Sequence, residues 1–303
     1  MPDNKKLVEE IRKLKKERDA VILVHNYQLP EVQDIADFLG DSLGLSREAA
    51  KTGAKVIVFC GVYFMAETAN ILSPEKTVLL PDLASGCPMA DMINAKELRE
   101  LKAAHPGHLV VAYVNSSAEV KAETDYCCTS GNALKVVEKL KNEKIIFVPD
   151  KYLGSWISEK LGKEMVLWHG YCPTHAKILP AHVEKAKKEH PKALVLVHPE
   201  CRNDVWPLAD EVCSTEGFLR YAKGSKAAEF IVATEPGMLY RLAKENPGKK
   251  FYPANADAIC PNMKKNTLEK VLWSLQDMKN IVKVPEETRL KAKKAIDRMV
   301  SIA

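Results

Sequence analysis

The stretch VILVHNYQLP, residues 21–30, decides the fold. Its first four residues are apolar and mostly β-branched, the composition of a parallel strand covered on both faces. Polar groups follow at once: His25, Asn26 and Tyr27. The same form returns in LVVAYVN (109–115) and ALVLVHPE (193–200). His25, Tyr113 and His198 stand at intervals of 88 and 85, and so do Tyr27, Asn115 and Glu200, and Ser42, Ser130 and Thr215. Three cysteines keep step, with intervals of 85 and 88 between Cys87, Cys172 and Cys260. Three copies of one unit about a pseudo-threefold axis bring three thiolates to one point, ringed by polar side chains. Such a site is a metal or cluster site with one coordination position left over, as a catalytic metal requires.

Working outward, β-branched runs alternate with helical segments. The first unit carries strands at 21–25, 55–60 and 77–81, the second at 109–114, 144–149 and 164–169, and the third at 193–198, 229–234 and 249–254. Helical stretches lie between them: EVQDIADFLG, MAETANIL, AKELRELKAA, GNALKVVEKL, HVEKAKKEH, EGFLRYAK, GMLYRLAKE and NTLEKVLWSL. The pattern predicts an α/β fold of three αβα (three-layer) domains with small parallel sheets. His105-Pro106-Gly107 and His190-Pro191 end helices and mark the boundaries, giving domains at 19–105, 106–190 and 191–280. Residues 1–18 and 281–303 are expected to form terminal helices packing on the repeats. The first is amphipathic, with Leu7, Ile11 and Leu14 on one face; the second starts after Pro285.

The bulk properties narrow the function. A chain of 303 residues can bury a sizeable core, and its formal net charge of +5 is mild. Basic residues alternate with acids along helices, which argues for solvated faces and against a nucleic-acid groove. No run approaches the ~20 apolar residues of a membrane span, and MPDNKKLVEEIRKLKKER lacks the apolar core of a signal peptide. Eight cysteines in a chain of this size fit a reducing cytoplasm better than a disulfide scaffold.

Strand tips and helix starts are where ligands bind in parallel α/β units. Gly40-Asp41-Ser42, Thr129-Ser130-Gly131 and Ser214-Thr215-Glu216 supply hydroxyls and backbone N–H groups suited to carboxylate or phosphate. Singly, each serine is an ordinary helix cap, a lone strand-end histidine is structural, and Tyr113 is a core residue. The matched offsets favour a shared site. Glu200 is the acid/base candidate if desolvated near a metal. Cys87, Cys172 and Cys260 are each followed by proline. Cys60, Cys127, Cys128, Cys201 and Cys213 form no matched triplet and read as structural. Glu216 either adds negative charge beside the anion site or stands at a helix start, where the dipole favours it.

The motifs HNYQLPEVQDIAD, GDSLGLS, FMAET, GCPMAD, YVNSSAEVKA, TSGNA, HGYCPTH, HPEC and CPNMKKNTLE together resemble the quinolinate synthase family, over nearly the whole chain. The resemblance implies three pseudo-threefold αβα domains and a 4Fe-4S cluster on Cys87, Cys172 and Cys260, with one iron open. It implies condensation of iminoaspartate with dihydroxyacetone phosphate to quinolinate, with loss of phosphate and two waters. An aspartate-oxidising enzyme would supply the iminoaspartate. Glu200, Tyr27, His25 and Tyr113 would be catalytic. His25, Tyr113, Asn115, His175, His198 and Glu200 would hold substrate, and Ser42, Ser130, Ser214 and Thr215 would bind carboxylates and phosphate. Asp41 and Met65 would line the pocket. Two other readings compete: a three-cysteine zinc hydrolase, and a non-catalytic module closing on an anionic metabolite.

Overall fold

In the computed structural model, which describes residues 4–302, twelve strands form three four-stranded sheets. The first sheet holds β1 (Ala20–His25), β2 (Phe38–Gly40), β3 (Val56–Cys60) and β4 (Thr77–Leu79). The second holds β5 (Leu109–Tyr113), β6 (Tyr126–Cys128), β7 (Ile145–Val148) and β8 (Val166–Leu167). The third holds β9 (Leu194–Val197), β10 (Glu211–Val212), β11 (Glu229–Ala233) and β12 (Lys250–Pro253). Strand order is the same in each: second, first, third, fourth. Every pairing is parallel, and helices flank the sheets, so the fold is the three-layer α/β architecture the periodicity predicts. The two central strands of each sheet are almost wholly buried, which is why their sequences run apolar without alternation.

Each sheet has one strand more than the hydropathy pattern predicts. The additional strands β2, β6 and β10 are two or three residues long and sit at one edge. EVQDIADFLG, read as helix, is helical only in Pro30–Gln33 and ends in β2. A shared device fixes these edges. Asp37 accepts the Ile22 backbone N–H at 2.8 Å, Asp125 that of Val110 at 2.8 Å, and Asp210 that of Val195 at 2.7 Å. These aspartates recur at the same spacing as the strand tips. The carboxylate satisfies the N–H where the first strand begins to pair with its edge partner. The following turn then carries the chain to the Asp41, Thr129 or Ser214 helix start.

A second triplicated device fastens the far end of each unit. Lys76 Nζ donates to the carbonyls of Thr52 and Ala54 at 2.7 and 2.8 Å, beyond the helix Ser42–Lys51. Lys163 does so for Lys141 and Glu143, and Lys249 for Ala222 and Ser225. Each ammonium answers carbonyls the helix leaves unpaired and complements the helix dipole.

The terminal helices join units that are distant in sequence. Asn4–Glu17 buries Ile11 against the helix Leu268–Asp277 and the first sheet; its predicted extension over residues 1–3 lies outside the described residues. Glu286–Ser301 packs on the helices Ala118–Ala122 and Tyr63–Leu72 and on β6. Its last carbonyls are capped from two units: Asn132 Nδ2 donates to Met299 and Ile302, each at 3.0 Å, and Arg47 donates to Val300 at 3.1 Å.

The lysine device is testable. Lys76→Met keeps the apolar stem but strands two carbonyls. It is expected to lower unfolding stability by about 2 kcal/mol, the range of hydrogen bonds to a charged group, read from the urea midpoint at unchanged slope.

Candidate active site

The carboxyl ends of the three sheets face one cavity of about 200 Å³. Its wall includes Cys87, Cys172 and Cys260, one from each unit, and the prolines that follow them, Pro88, Pro173 and Pro261. The three cysteines follow β4, β8 and β12, the fourth strands in chain order. Each opens a tight turn in which its carbonyl accepts the N–H four residues on: Asp91 at 3.3 Å, Ala176 at 3.0 Å and Lys264 at 3.4 Å. The turn aims backbone N–H groups at sulfur: Met89 and Ala90 at Cys87, His175 at Cys172, Asn262 and Met263 at Cys260. Burial pushes all three thiols up, Cys87 to about 12, while these N–H groups pull the other way. All eight cysteines are free thiols. Cys60, Cys127, Cys128 and Cys201 are fully buried in the sheets and strand tips, away from the cavity wall.

Beside the cysteines stands a ring built from the strand tips. His25, Tyr27, Tyr113, Asn115, His198 and Glu200 all line the cavity. Glu200 is only 4% exposed, yet its carboxyl is held low. Burial alone would raise it, but His175 beside it, then His198 and Tyr113, favour the anion. The Tyr113 hydroxyl donates to Oε1, and His175 Nδ1 lies 3.0 Å from Oε2. His175 Nδ1 is also 3.1 Å from Cys172 Sγ. The His175 and His198 rings stack with centroids 4.7 Å apart.

His25 and His198 share a repeat position and a local geometry. The Tyr27 N–H donates to His25 Nδ1 at 3.2 Å, and the Glu200 N–H donates to His198 Nδ1 at 3.4 Å. Burial, the leading cause, drops both imidazoles to about 3. Both are therefore neutral at physiological pH, with Nδ1 accepting and Nε2 left as the donor. Asn115 Oδ1 is buried in the wall with no hydrogen-bond partner, an acceptor left for something in the cavity.

Helix starts complete the wall. Asp41, Ser42, Thr129, Ser130 and Thr215 line it, as does Met65. Burial, and then Glu216, push the Asp41 carboxyl up against the pull of the Gly44 N–H. Ser214 is placed differently: it lies outside the cavity lining, and its Oγ caps the helix Thr215–Gly224 by accepting the Gly217 N–H. Glu216 turns away from the cavity onto Arg241 Nη1 at 2.5 Å, with Asn26 Nδ2 at 3.5 Å. Its charge is thus answered.

Asn26 shows in the sequence only as a polar strand-tip residue, and Glu235, Lys264 and Arg241 have little or no signal there. Asn26 donates to Thr215 Oγ1 at 3.0 Å and accepts from Arg241 at 2.7 Å, which leaves the Thr215 hydrogen free to donate. Glu235 is fully buried and takes N–H bonds from Gly237 at 2.7 Å and Cys260 at 3.3 Å, with Lys264 at 2.9 Å. Lys264 also donates to the Tyr27 carbonyl, tying the Cys260 turn to the first unit. Only spacing points to Glu235: it stands one repeat interval after Asp150, the buried cap of Lys151–Leu161.

Comparison with known proteins agrees with this architecture. The family described as "Quinolinate synthetase A protein" matches residues 9–301. A protein named quinolinate synthase from Dehalococcoides mccartyi strain BAV1 is 59% identical over 292 residues, 96% of this chain and 97% of that one. One from Geotalea uraniireducens strain Rf4 is 57% identical, covering 97% and 96% of the two chains. One from Methanosarcina barkeri strain Fusaro is 53% identical, covering 98% and 97%. The fold and cavity define an α/β protein whose central cavity is lined by one cysteine from each unit. The chain belongs to the quinolinate synthetase A family. Among the described residues, no helix is long and apolar enough to cross a membrane.

The Glu216–Arg241 pair yields a stability test. Arg241→Met leaves a part-buried carboxylate unpaired and is expected to cost about 2 kcal/mol. Adding Glu216→Gln should recover part of that loss in thermal unfolding.

Proposed function

We propose that the protein is a quinolinate synthase of NAD biosynthesis, condensing iminoaspartate with dihydroxyacetone phosphate to give quinolinate, phosphate and two waters. One observation carries the reading: three thiols, one per unit, share a cavity wall with a hydrogen-bonded tyrosine–glutamate–histidine ring.

The donor set fits an iron–sulfur centre. Three cysteine sulfurs with backbone N–H groups turned toward them match the way proteins spread the charge of cluster thiolates. Cys87, Cys172 and Cys260 would hold a 4Fe-4S cluster, leaving one iron without a protein thiolate. When bound, the cluster would supply an open iron acting as a Lewis acid toward a substrate oxygen. All-thiolate zinc would be a weaker Lewis acid, and a passive binding module leaves the buried acid/base ring unexplained.

The chain's own groups divide the remaining work. The Ser42, Ser130 and Thr215 hydroxyls, at helix starts, suit the phosphate and carboxylates of the substrates. Neutral His25 and His198 offer N–H donors to carboxylate or carbonyl oxygen without carrying charge. Asn115 Oδ1 suits an imine or hydroxyl hydrogen. Isomerisation and ring closure require protons to move on and off carbon, nitrogen and oxygen, and Glu200, Tyr113 and Tyr27 are the groups for this. Glu200 is an anion with two attached donors, so it can take a proton while Tyr113 or His175 gives one. The small cavity limits the water that would hydrolyse an imine.

Cys172, His175 and Glu200 also offer ligand atoms within 4.8 Å of one another, which favours a second reading as a mononuclear metal site. Metal analysis separates the two. Protein purified without oxygen should be brown and carry about four irons and four sulfides per chain. Alanine at Cys87, Cys172 or Cys260 should remove them. A single metal without sulfide, lost on Glu200→Gln, would favour the mononuclear site. For the proposed role, Glu200→Gln should keep the iron and lower quinolinate formation more than about 100-fold. Near-normal turnover with full iron would reject it.

A further inference from the structure

The first strand of each unit runs into a short tip loop that carries cavity residues, and a buried side-chain donor holds two of the three loops. In the first unit Gln33 Nε2 donates to the carbonyls of Gln28 at 2.9 Å and Asn26 at 3.1 Å, the residues on either side of Tyr27. In the second unit Lys121 Nζ donates to the Ser116 carbonyl, one residue past Asn115. Gln28 and Ser116 share a repeat position, and so do Gln33 and Lys121. The third unit has Cys201 and Trp206 there, and among the described residues the buried Trp206 Nε1 has no hydrogen-bond partner. In that unit Tyr113 and His175 hold the tip residue, Glu200, by its own carboxylate.

The second tip is held by its backbone instead. Asn115 Oδ1 has no partner among the described residues, so its aim depends on the loop 113–117. That loop is fixed at three places. Ser116 Oγ donates to the Tyr113 carbonyl at 3.0 Å, the Ala118 N–H donates to Glu67 Oε2 of the first unit at 3.1 Å, and Lys121 takes the Ser116 carbonyl. Lys121 also stands over the Phe64 ring, 5.3 Å from its centroid, and Phe64 belongs to the cavity wall. A fully buried ammonium is costly: burial disfavours its charge, and Glu67 opposes that effect. A methionine would fill similar space without the cost. What the charge supplies is a hydrogen bond about twice as strong as a neutral one, on the loop whose tip oxygen nothing else holds.

We propose that Lys121 is a positioning residue for substrate binding: its bond to the Ser116 carbonyl and its seat on Phe64 fix the tip loop so that Asn115 Oδ1 faces the substrate. The idea rests on the synthase reading and deepens it by naming what aims one of its binding groups. Lys121 lies outside the cavity lining, so it acts through Asn115 and exchanges no proton with substrate. Tyr113 is less dependent on it. That residue is still inside β5, paired with Cys128, and its hydroxyl stays on Glu200. Loss of the ammonium therefore weakens binding and leaves the chemical step largely intact.

The test uses the anaerobic holoenzyme with Lys121→Met, which keeps the apolar stem and removes the donor, and Lys121→Gln, which supplies the amide the first unit uses at this position. With both substrates below saturation, Lys121→Met is expected to slow quinolinate formation about tenfold, the worth of one hydrogen bond to substrate. At saturation it should return to within about threefold of wild type, the signature of lost binding. Iron per chain should be unchanged. Lys121→Gln should stay within about threefold of wild type in both regimes. In an Asn115→Ala background, Lys121→Met should cost less than about twofold more, because both changes act through one oxygen. Wild-type rates in Lys121→Met, a loss that persists in full at saturation, a Gln variant as poor as Met, or additive losses would overturn the proposal. If Lys121→Met yields no folded holoenzyme, Ser116→Ala decides. It cuts the same loop's bond to the Tyr113 carbonyl and should slow the subsaturated reaction about threefold, but not in the Asn115→Ala background; wild-type rates there would overturn the idea equally. A wild-type holoenzyme that makes no quinolinate would instead overturn the synthase reading.

Discussion

A carboxylate taken out of water must find its donors within the protein, and Glu200 is in that position. Its donors come from elsewhere in the chain: Tyr113 ends the first strand of the second sheet, and His175 lies in the turn that follows Cys172. The second and third units are therefore joined through a buried charge, and separating them would leave that charge unpaired. The first unit is joined to the third in a similar way, by Lys264 on the Tyr27 carbonyl and by Arg241 on Asn26. The interior contacts that shape the cavity are thus also contacts that hold the units together. Precise placement of the ring is a by-product of satisfying buried polar groups.

Repetition and divergence fall on different parts of the unit. Where the task is to build backbone, the same residue type recurs: Asp37, Asp125 and Asp210 at the edge strands, Lys76, Lys163 and Lys249 at the helix ends, and the three Cys-Pro turns. Where the strand tips line the cavity, the residue type changes at constant position: Tyr27, Asn115 and Glu200. An asymmetric pair of substrates, as in the proposed condensation, would require this. A threefold scaffold offers three equivalent tips, and only different side chains at those tips can treat an amine, a carbonyl and a phosphate differently.

That division explains what is legible in the sequence. The central strands are readable because burial on both faces leaves a continuous apolar run, as in Ile145–Val148. The cysteines and strand-tip residues are readable because position, more than residue type, repeats. The edge strands are not. Val212 and Gly40 have no hydropathic pattern to show, and their pairing is fixed by an aspartate side chain immediately before each strand. The Ser214 hydroxyl suggests a ligand contact, but the helix N-terminus uses it first. The orientation of Glu216 depends on Arg241, 25 residues away, and no local rule reaches that far.

The same logic places the asymmetry at the end of the third strand of each unit. There the chain has Gly61-Val62, Pro149-Asp150 and Thr234-Glu235. The first pair has no polar side chain, because Gly61 has Met65 and Phe59 pressed against it. In the second, Asp150 is used on the N–H groups of Tyr152 and Leu153 to start a helix. Only in the third does each residue reach the cavity's own groups, Thr234 toward Tyr27 and His175, Glu235 toward the Cys260 N–H. A hydroxyl in the first unit would lack space, and the proline of the second has no hydroxyl to offer. The third unit thus directs polar groups both to Tyr27 and His175 and to the Cys260 turn, so two parts of the cavity wall are tied to adjacent residues of one strand end.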